Sequence, residues 1–272
     1  MGVKKEISLQ EARELFEEVS FEKIVPTKNG ISDTTYFAYE KEQCYVIKHY
    51  EDALDEEMEK EAALLELLHE KGLKVGTLLS ISRLDHRWRL YSCIKGKSIE
   101  RPNFRQIAQI ATFLAKFHSF TNVKMVKNEI FDRKRIETAL KSLRSKNLGL
   151  YHRFKEIRNY YRDEIDGTIH GDLFTDNAKF KKNRLSGVFD FIESSKGSFI
   201  LDAGVTALSF ASTSRAKTVH FLNSYNSASR KKLTLAELVD AMRFAALFYA
   251  LQRYNGSQLD YKELLKKFRM LA

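Results

Sequence analysis

Two stretches decide how this chain is read: His170-Gly171-Asp172-Leu173-Phe174-Thr175-Asp176-Asn177, and further on Gly187-Val188-Phe189-Asp190-Phe191. The first puts a carboxylate and, five residues later, an amide into one loop. The second brings another carboxylate to the end of a strand. Phosphoryl transfer to an alcohol needs this trio. One Asp orients the attacking hydroxyl and takes its proton late, while an Asn and a second Asp hold Mg²⁺ against the phosphates. On that chemistry Asp172 is the catalytic group, and Asn177 and Asp190 are the metal ligands. Turns rich in Asp and Asn are common, but four fixed residues at this spacing arise by chance in roughly one chain in a hundred to a thousand of this length. His170 is expected to brace the loop through hydrogen bonds rather than act as a base.

Partners for the nucleotide lie upstream. Tyr45-Val46-Ile47-Lys48 reads as a strand ending in lysine. Glu61 follows on a helix, beside an apolar stripe of Met58, Ala62, Leu65 and Leu68. An acid in that position calls for a cation, so a Lys48–Glu61 pair is expected to aim the ammonium at the α- and β-phosphates of ATP. The turn Gly30-Ile31-Ser32-Asp33-Thr34-Thr35 is the candidate cover for those phosphates, through backbone N–H groups at Gly30 and the hydroxyls of Ser32 or Thr34. It has one glycine, unlike G-x-G-x-x-G or Walker A sequences.

The 272 residues suffice for one large domain or two lobes with separate cores. The first part reads as α+β. A capping box at Ser8 opens a helix, strands fit 21–25, 34–39 and 44–50, a long helix fits 53–71 closed by Gly72, and two more strands fit 77–83 and 88–94. From Lys95 onward the pattern is mostly helical, at 104–118, 133–146, 151–162 and from 200 to the end, with short strands near 167–170 and 187–191. The boundary falls near residue 94, giving a nucleotide-binding lobe at 1–94 and a helical catalytic and acceptor-binding lobe at 95–272.

Composition narrows the rest. Apolar residues make up 43% and charged residues 30%, a balance that fits a folded globular chain rather than a disordered one. No apolar run reaches the ~20 residues that span a bilayer, and the N-terminus has no signal-peptide core. The expected location is cytoplasmic, with no membrane partner. The net charge of +10 comes from scattered lysines, without a recognition helix or zinc finger. It draws in anionic nucleotides rather than marking a nucleic-acid partner. Cys44 and Cys93 are too few for a disulfide framework and read as reduced, buried thiols.

The order Lys48, Glu61, His170-Gly171-Asp172…Asn177, Asp190-Phe191 resembles the aminoglycoside/choline phosphotransferase superfamily, which shares the protein-kinase fold. Within it, Gly30-Ile31-Ser32-Asp33-Thr34-Thr35-Tyr36-Phe37, Leu185-Ser186-Gly187-Val188-Phe189-Asp190-Phe191 and Arg243-Phe244-Ala245-Ala246-Leu247…Arg253 are most similar to type II homoserine kinases. The resemblance implies an α+β, bilobal, protein-kinase-like fold. A five-stranded antiparallel sheet with one helix forms the N-lobe, and the C-lobe is mostly helical. It also implies ATP and Mg²⁺ as cofactors, adenine at the hinge Ser92-Cys93-Ile94, and Asp202 as a loop-bracing acid. Its acceptor is a small-molecule alcohol, its pathway threonine biosynthesis, and its assembly a monomer or homodimer. Gly171 stands where protein kinases carry an arginine used in phosphorylation control, which implies a constitutively assembled site. Val75-Gly76-Thr77 lacks the proline usual before the fourth strand.

The acceptor follows from charge. From Phe191 onward the acids are Glu193, Asp202, Glu237, Asp240, Asp260 and Glu263, against about twice as many Lys and Arg. That disfavours a polycation such as an aminoglycoside. Homoserine needs one cationic and one anionic partner, and Arg243 or Arg253 is the candidate for its carboxylate. Choline or ethanolamine is the alternative, since an ammonium wants aromatic faces such as Tyr249 or Trp88.

Overall fold

The structure, a computed structural model, describes residues 3–27, 33–120, 130–256 and 261–271. The chain divides into two compact units: Met1–Gly96 with Ser186–Ile192, and Lys97–Leu185 with Glu193–Ala272.

The first unit starts with α1 (Leu9–Leu15), capped at Ser8 by the reciprocal Ser8–Glu11 box that the sequence signals. Strands β1 (Lys23–Pro26), β2 (Thr34–Glu40) and β3 (Gln43–His49) follow, then α2 (Asp55–Glu70), β4 (Leu78–Ile81) and β5 (Trp88–Ser92). The strands form one antiparallel sheet in the order β1-β2-β3-β5-β4. Alternation fixes which face is buried: Tyr36 and Ala38 on β2, and Tyr45 and Ile47 on β3, join Phe16, Phe21, Trp88 and Leu90 in one apolar cluster. Lys48 alternates to the other face, opposite Arg89 of β5.

Helix α2 ends as its sequence requires. Gly72 takes φ +71, its N–H reaches the His69 carbonyl at 2.9 Å, and the Leu73 N–H reaches Leu68 at 2.9 Å, which is a Schellman stop. The buried stripe of α2 is Met58, Glu61, Leu64, Leu65 and Leu68. Glu61 therefore stands on the stripe itself, and Ala62 is only half-buried.

The second unit contains α3 (Phe104–Ser119), α4 (Arg133–Lys146) and α5 (Leu148–Phe154). Next come β6 (Gly167–Ile169), β7 (Ala178–Lys181), β8 (Arg184–Val188) and β9 (Ser195–Gly197), then α6 (Phe199–Phe210), α7 (Arg215–Ala228), α8 (Leu235–Gly256) and α9 (Tyr261–Met270). The division of the chain falls inside β8. Strand β6 pairs antiparallel with β9. The expected helix at 151–162 begins earlier and stops sooner. Asn147 caps α5 by accepting from the Leu150 N–H at 3.0 Å, and a 3₁₀ turn, Lys155–Asn159, replaces the remainder. The expected strand at 187–191 starts and ends earlier, as β8, which pairs with β7 and leaves Asp190 beyond its end. Lys182 and Asn183, both at positive φ, make the two-residue turn that such a hairpin needs.

The α+β fold with a five-stranded antiparallel sheet followed by a helical remainder is as the sequence implies. Among the described residues no helix is long and apolar enough to cross a membrane.

The core of the second unit is set by how closely α6 approaches α8. A Cβ built on Gly204 would lie 2.5 Å from the carbonyl carbon of Ala241. That neighbour is backbone and cannot rotate aside. Gly204→Ala is expected to cost about 1–3 kcal/mol of stability, read as a lower urea midpoint at unchanged slope.

Candidate active site

In the second unit, β6 delivers the chain into the loop His170–Asn177 at a point held by one buried carboxylate. Asp202, on the first turn of α6, is fully buried. Its Oδ2 accepts from the His170 N–H and its Oδ1 from the Gly171 N–H, each at 2.9 Å. His118 of α3 donates from Nε2 to Oδ2 at 2.9 Å, places Nδ1 2.8 Å from the Tyr225 hydroxyl, and stacks on Phe199 at 4.1 Å. Burial pushes the Asp202 pKa up, but the hydrogen bond from His118, the electrostatic pull of the His118 and His170 rings and the His170 N–H outweigh it, so the carboxyl sits below its ordinary range.

Gly171 takes φ +79, and a Cβ there would lie 3.1 Å from the Glu193 carbonyl oxygen. Only glycine fits that backbone without strain. The Tyr249 hydroxyl of α8 donates to the Gly171 carbonyl, and its ring meets Phe174 edge-on at 4.8 Å. Burial, then the charges of Asp172, Asp202 and Glu193, push the Tyr249 pKa well up, while Arg253 pulls it back. Arg253 stands one helical turn beyond Tyr249 on α8.

The loop then closes on itself. Asn177 Nδ2 donates to the Asp172 backbone carbonyl at 2.8 Å and to its carboxylate Oδ2 at 3.0 Å. The amide oxygen of Asn177 is thereby left for a further partner. The Asp172 N–H reaches His170 Nδ1 at 3.3 Å. The Thr175 N–H is held by Ser209 at 2.9 Å.

In the first unit, Lys48 is the centre. Its ammonium lies 2.8 Å from Asp190 Oδ1 and 3.0 Å from Asp33 Oδ2, and 4.4 Å over the Tyr50 ring. Burial works against the charge, but Asp190, Asp33 and Glu61 together raise the Lys48 pKa above the ordinary lysine value. Asp190 adopts φ +67. The expected direct Lys48–Glu61 pair is not formed. Glu61 instead accepts from the hydroxyls of Tyr50 and Tyr91 and, at 3.1 Å, from the Phe191 N–H. Its position on the buried stripe explains this: there, hydroxyls and a backbone N–H reach it. Burial raises the Glu61 pKa, against the pull of Lys48 and Tyr50. Arg89 is also buried and donates to the Met58 carbonyl at 2.7 Å.

The remaining candidates are placed as follows. The Thr34 hydroxyl is buried, donates to Glu51 at 2.7 Å and accepts from the Lys4 and Lys5 N–H groups. Gly30 and Ser32 lie outside the described residues. Ser92 ends β5 and exchanges bonds with Thr77. Cys93 is a half-buried free thiol, as is Cys44. Ile94 packs where a Gly187 side chain would stand. Arg243 is committed to Asp240 at 3.1 Å and to the Leu271 carbonyl. Trp88 is buried in the first unit's core. Asp33, Tyr50, Tyr91 and His118 are not singled out by the sequence reading, and Tyr249 is named there only as an aromatic face for an ammonium, not as the donor to Gly171. The position of Asp33 in the quoted turn offers a signal; Tyr50 and Tyr91 in the first unit, and His118 in the second, take their places through long-range packing within their own units.

The Asp172–Asn177 clasp of the second unit and the Lys48–Asp190 pair of the first are the groups that the sequence reading assigned to phosphoryl transfer. The sequence pattern of the phosphotransferase enzyme family, APH, matches residues 23–239, and the chain belongs to that family. The resemblance read from the motifs holds at that level. The chain is 26% identical over 195 residues to the homoserine kinase of Methylobacillus flagellatus, a match covering 65% of this chain and 60% of that enzyme. The match thus spans less than two thirds of that relative's length. Among solved structures, the GDP complex of wild-type aminoglycoside 2'-phosphotransferase-IIIa superposes with a TM-score of 0.68 at 17% identity, covering 98% of each chain. Choline kinase LicA from Streptococcus pneumoniae gives 0.60 at 16% identity, covering 96% of this chain and 98% of that one. At these identities the likeness speaks for the fold.

Asp202 sets a pH signature. Its folded pKa lies below the ordinary 3.8, so its contribution to stability is full above about pH 4 and is lost as pH falls through the lower folded value. Asp202→Asn keeps the shape but turns an NH₂ toward a donor. It should cost about 2–4 kcal/mol at pH 7 and flatten the acid limb of stability, measured by urea melts from pH 7 down to pH 3.

Proposed function

We propose that this chain is an ATP-dependent kinase that phosphorylates the hydroxyl of a small metabolite, with homoserine the acceptor. The observation that carries the kinase reading is the Asp172–Asn177 clasp, fixed from behind by Asp202. Asp172 orients the acceptor hydroxyl and takes its proton late, since a loose transition state does not require early proton removal. Lys48 binds α- and β-phosphate oxygens, with adenine against 92–94. Glu61 holds the Phe191 N–H and so fixes the backbone beside Asp190. The amide oxygen of Asn177 and the carboxylate of Asp190 are hard oxygen donors of the kind Mg²⁺ takes. When bound, the ion screens the charge of the phosphates.

The acceptor reading rests on Arg253. Arg243 is already paired, whereas Arg253 lies one turn from Tyr249, whose hydroxyl holds the Gly171 carbonyl beside Asp172. A guanidinium there suits the carboxylate of an amino acid. The likeness to a homoserine kinase supports the same acceptor, which would place the enzyme in threonine biosynthesis, in the cytoplasm, as a monomer or homodimer. The Phe174–Tyr249 aromatic pair favours a second reading, choline or ethanolamine, because an ammonium binds against aromatic faces.

An ADP-release screen of small alcohols decides between them. Homoserine should turn over fastest, and Arg253→Ala should raise its KM at least about tenfold with kcat less affected. Turnover of choline or a sugar, with none of homoserine, would overturn the acceptor. Asp172→Ala is expected to lower kcat by roughly two to four orders of magnitude while calorimetry still shows ATP binding. A near-normal rate would remove Asp172 from its role.

A further inference from the structure

Lys48 has two carboxylate partners, and the proposed reaction uses only one of them. Asp190 is assigned to the metal. Asp33, the residue immediately before β2, has no part in the roles assigned above, yet its Oδ2 lies 3.0 Å from the Lys48 ammonium. The contact is sheltered: the side chains of Lys48 and Asp33 are 12% and 14% exposed. Asp33 is also anchored, since its Oδ1 accepts from the Glu51 N–H at 3.2 Å.

An ammonium has three donors. Asp190 and Asp33 each engage it, and the Tyr50 ring lies beneath it. A phosphate oxygen that binds Lys48 must share this shell with Asp33. It also brings further negative charge beside a sheltered carboxylate, where repulsion is screened less than at the surface. Resting on the kinase reading, we propose that Asp33 sets nucleotide affinity. Its carboxylate holds the phosphate's place on Lys48 in the nucleotide-free protein and must swing off the ammonium for a nucleoside di- or triphosphate to bind.

The consequence is counter to the usual outcome of removing a charge from a binding site. Asp33→Asn keeps the side chain's size and its acceptor for the Glu51 N–H, but removes the competing charge. Calorimetric titration of the full chain with ATP, ADP and adenosine, in wild type, D33N, D33A and K48A, tests this. D33N and D33A should bind ATP and ADP about fivefold tighter or better and adenosine unchanged, while K48A binds ATP more weakly. Because adenosine has no phosphate, a gain shared by adenosine would mark a general structural effect and overturn the proposal. So would an unchanged or weaker ATP affinity in both Asp33 variants while wild type binds ATP normally. If wild type bound no nucleotide at all, the kinase reading would fall, and this inference with it.

Discussion

A single buried carboxylate underlies the loop at 170–177. Asp202 carries a full negative charge out of water, and such a group persists only where hydrogen-bond donors surround it. Its donors are two consecutive backbone N–H groups at the mouth of the loop and one imidazole from another helix. The charge and the loop conformation therefore specify each other. Without those N–H groups the acid would be stranded, and without the acid the positive φ of Gly171 would lack its restraint. The Asp172–Asn177 clasp inherits its position from that arrangement, and the Tyr249 bond to the Gly171 carbonyl fixes the next peptide from another helix.

The first unit solves a related problem with different groups. A lysine, three acids and two tyrosines share a small volume, and each charge is offset by a neighbour. The lysine distributes its donors over two carboxylates and an aromatic face, while the third acid is satisfied by hydroxyls and a peptide N–H. Charge compensation among groups distant in sequence, rather than any one ion pair, holds the assembly.

Much of this was legible in the sequence, and the reasons are local. The Ser8 box, the Gly72 stop and the alternation along β2 and β3 are encoded within a few residues, so they could be read directly. The loop at 170–177 was readable because its chemistry demands fixed spacing. What escaped was long-range. That residues 186–192 pack with the first unit follows from tertiary packing, to which periodicity is blind. Strands β7 and β9 are three or four residues long, too short for an alternating pattern to stand out. Glu61 was correctly seen as an acid among apolar neighbours, but its partners, Tyr50 and Tyr91, come from two other strand regions that no spacing rule joins to it. His118 is an ordinary helix residue until α6 brings Asp202 against it.

Arg89 carries a consequence for control. Its guanidinium is sealed inside the first unit and donates to the Met58 carbonyl, one turn before Glu61 on the same helix. In kinases governed by an outward swing of the corresponding helix, the acid leaves and returns with the switch. Here such a rotation would strand a buried cation as well as the acid, and both would lose their partners together. The helix is thus bolted to its sheet at two points, the guanidinium and the carboxylate, and the cost of pivoting it is the cost of breaking both at once.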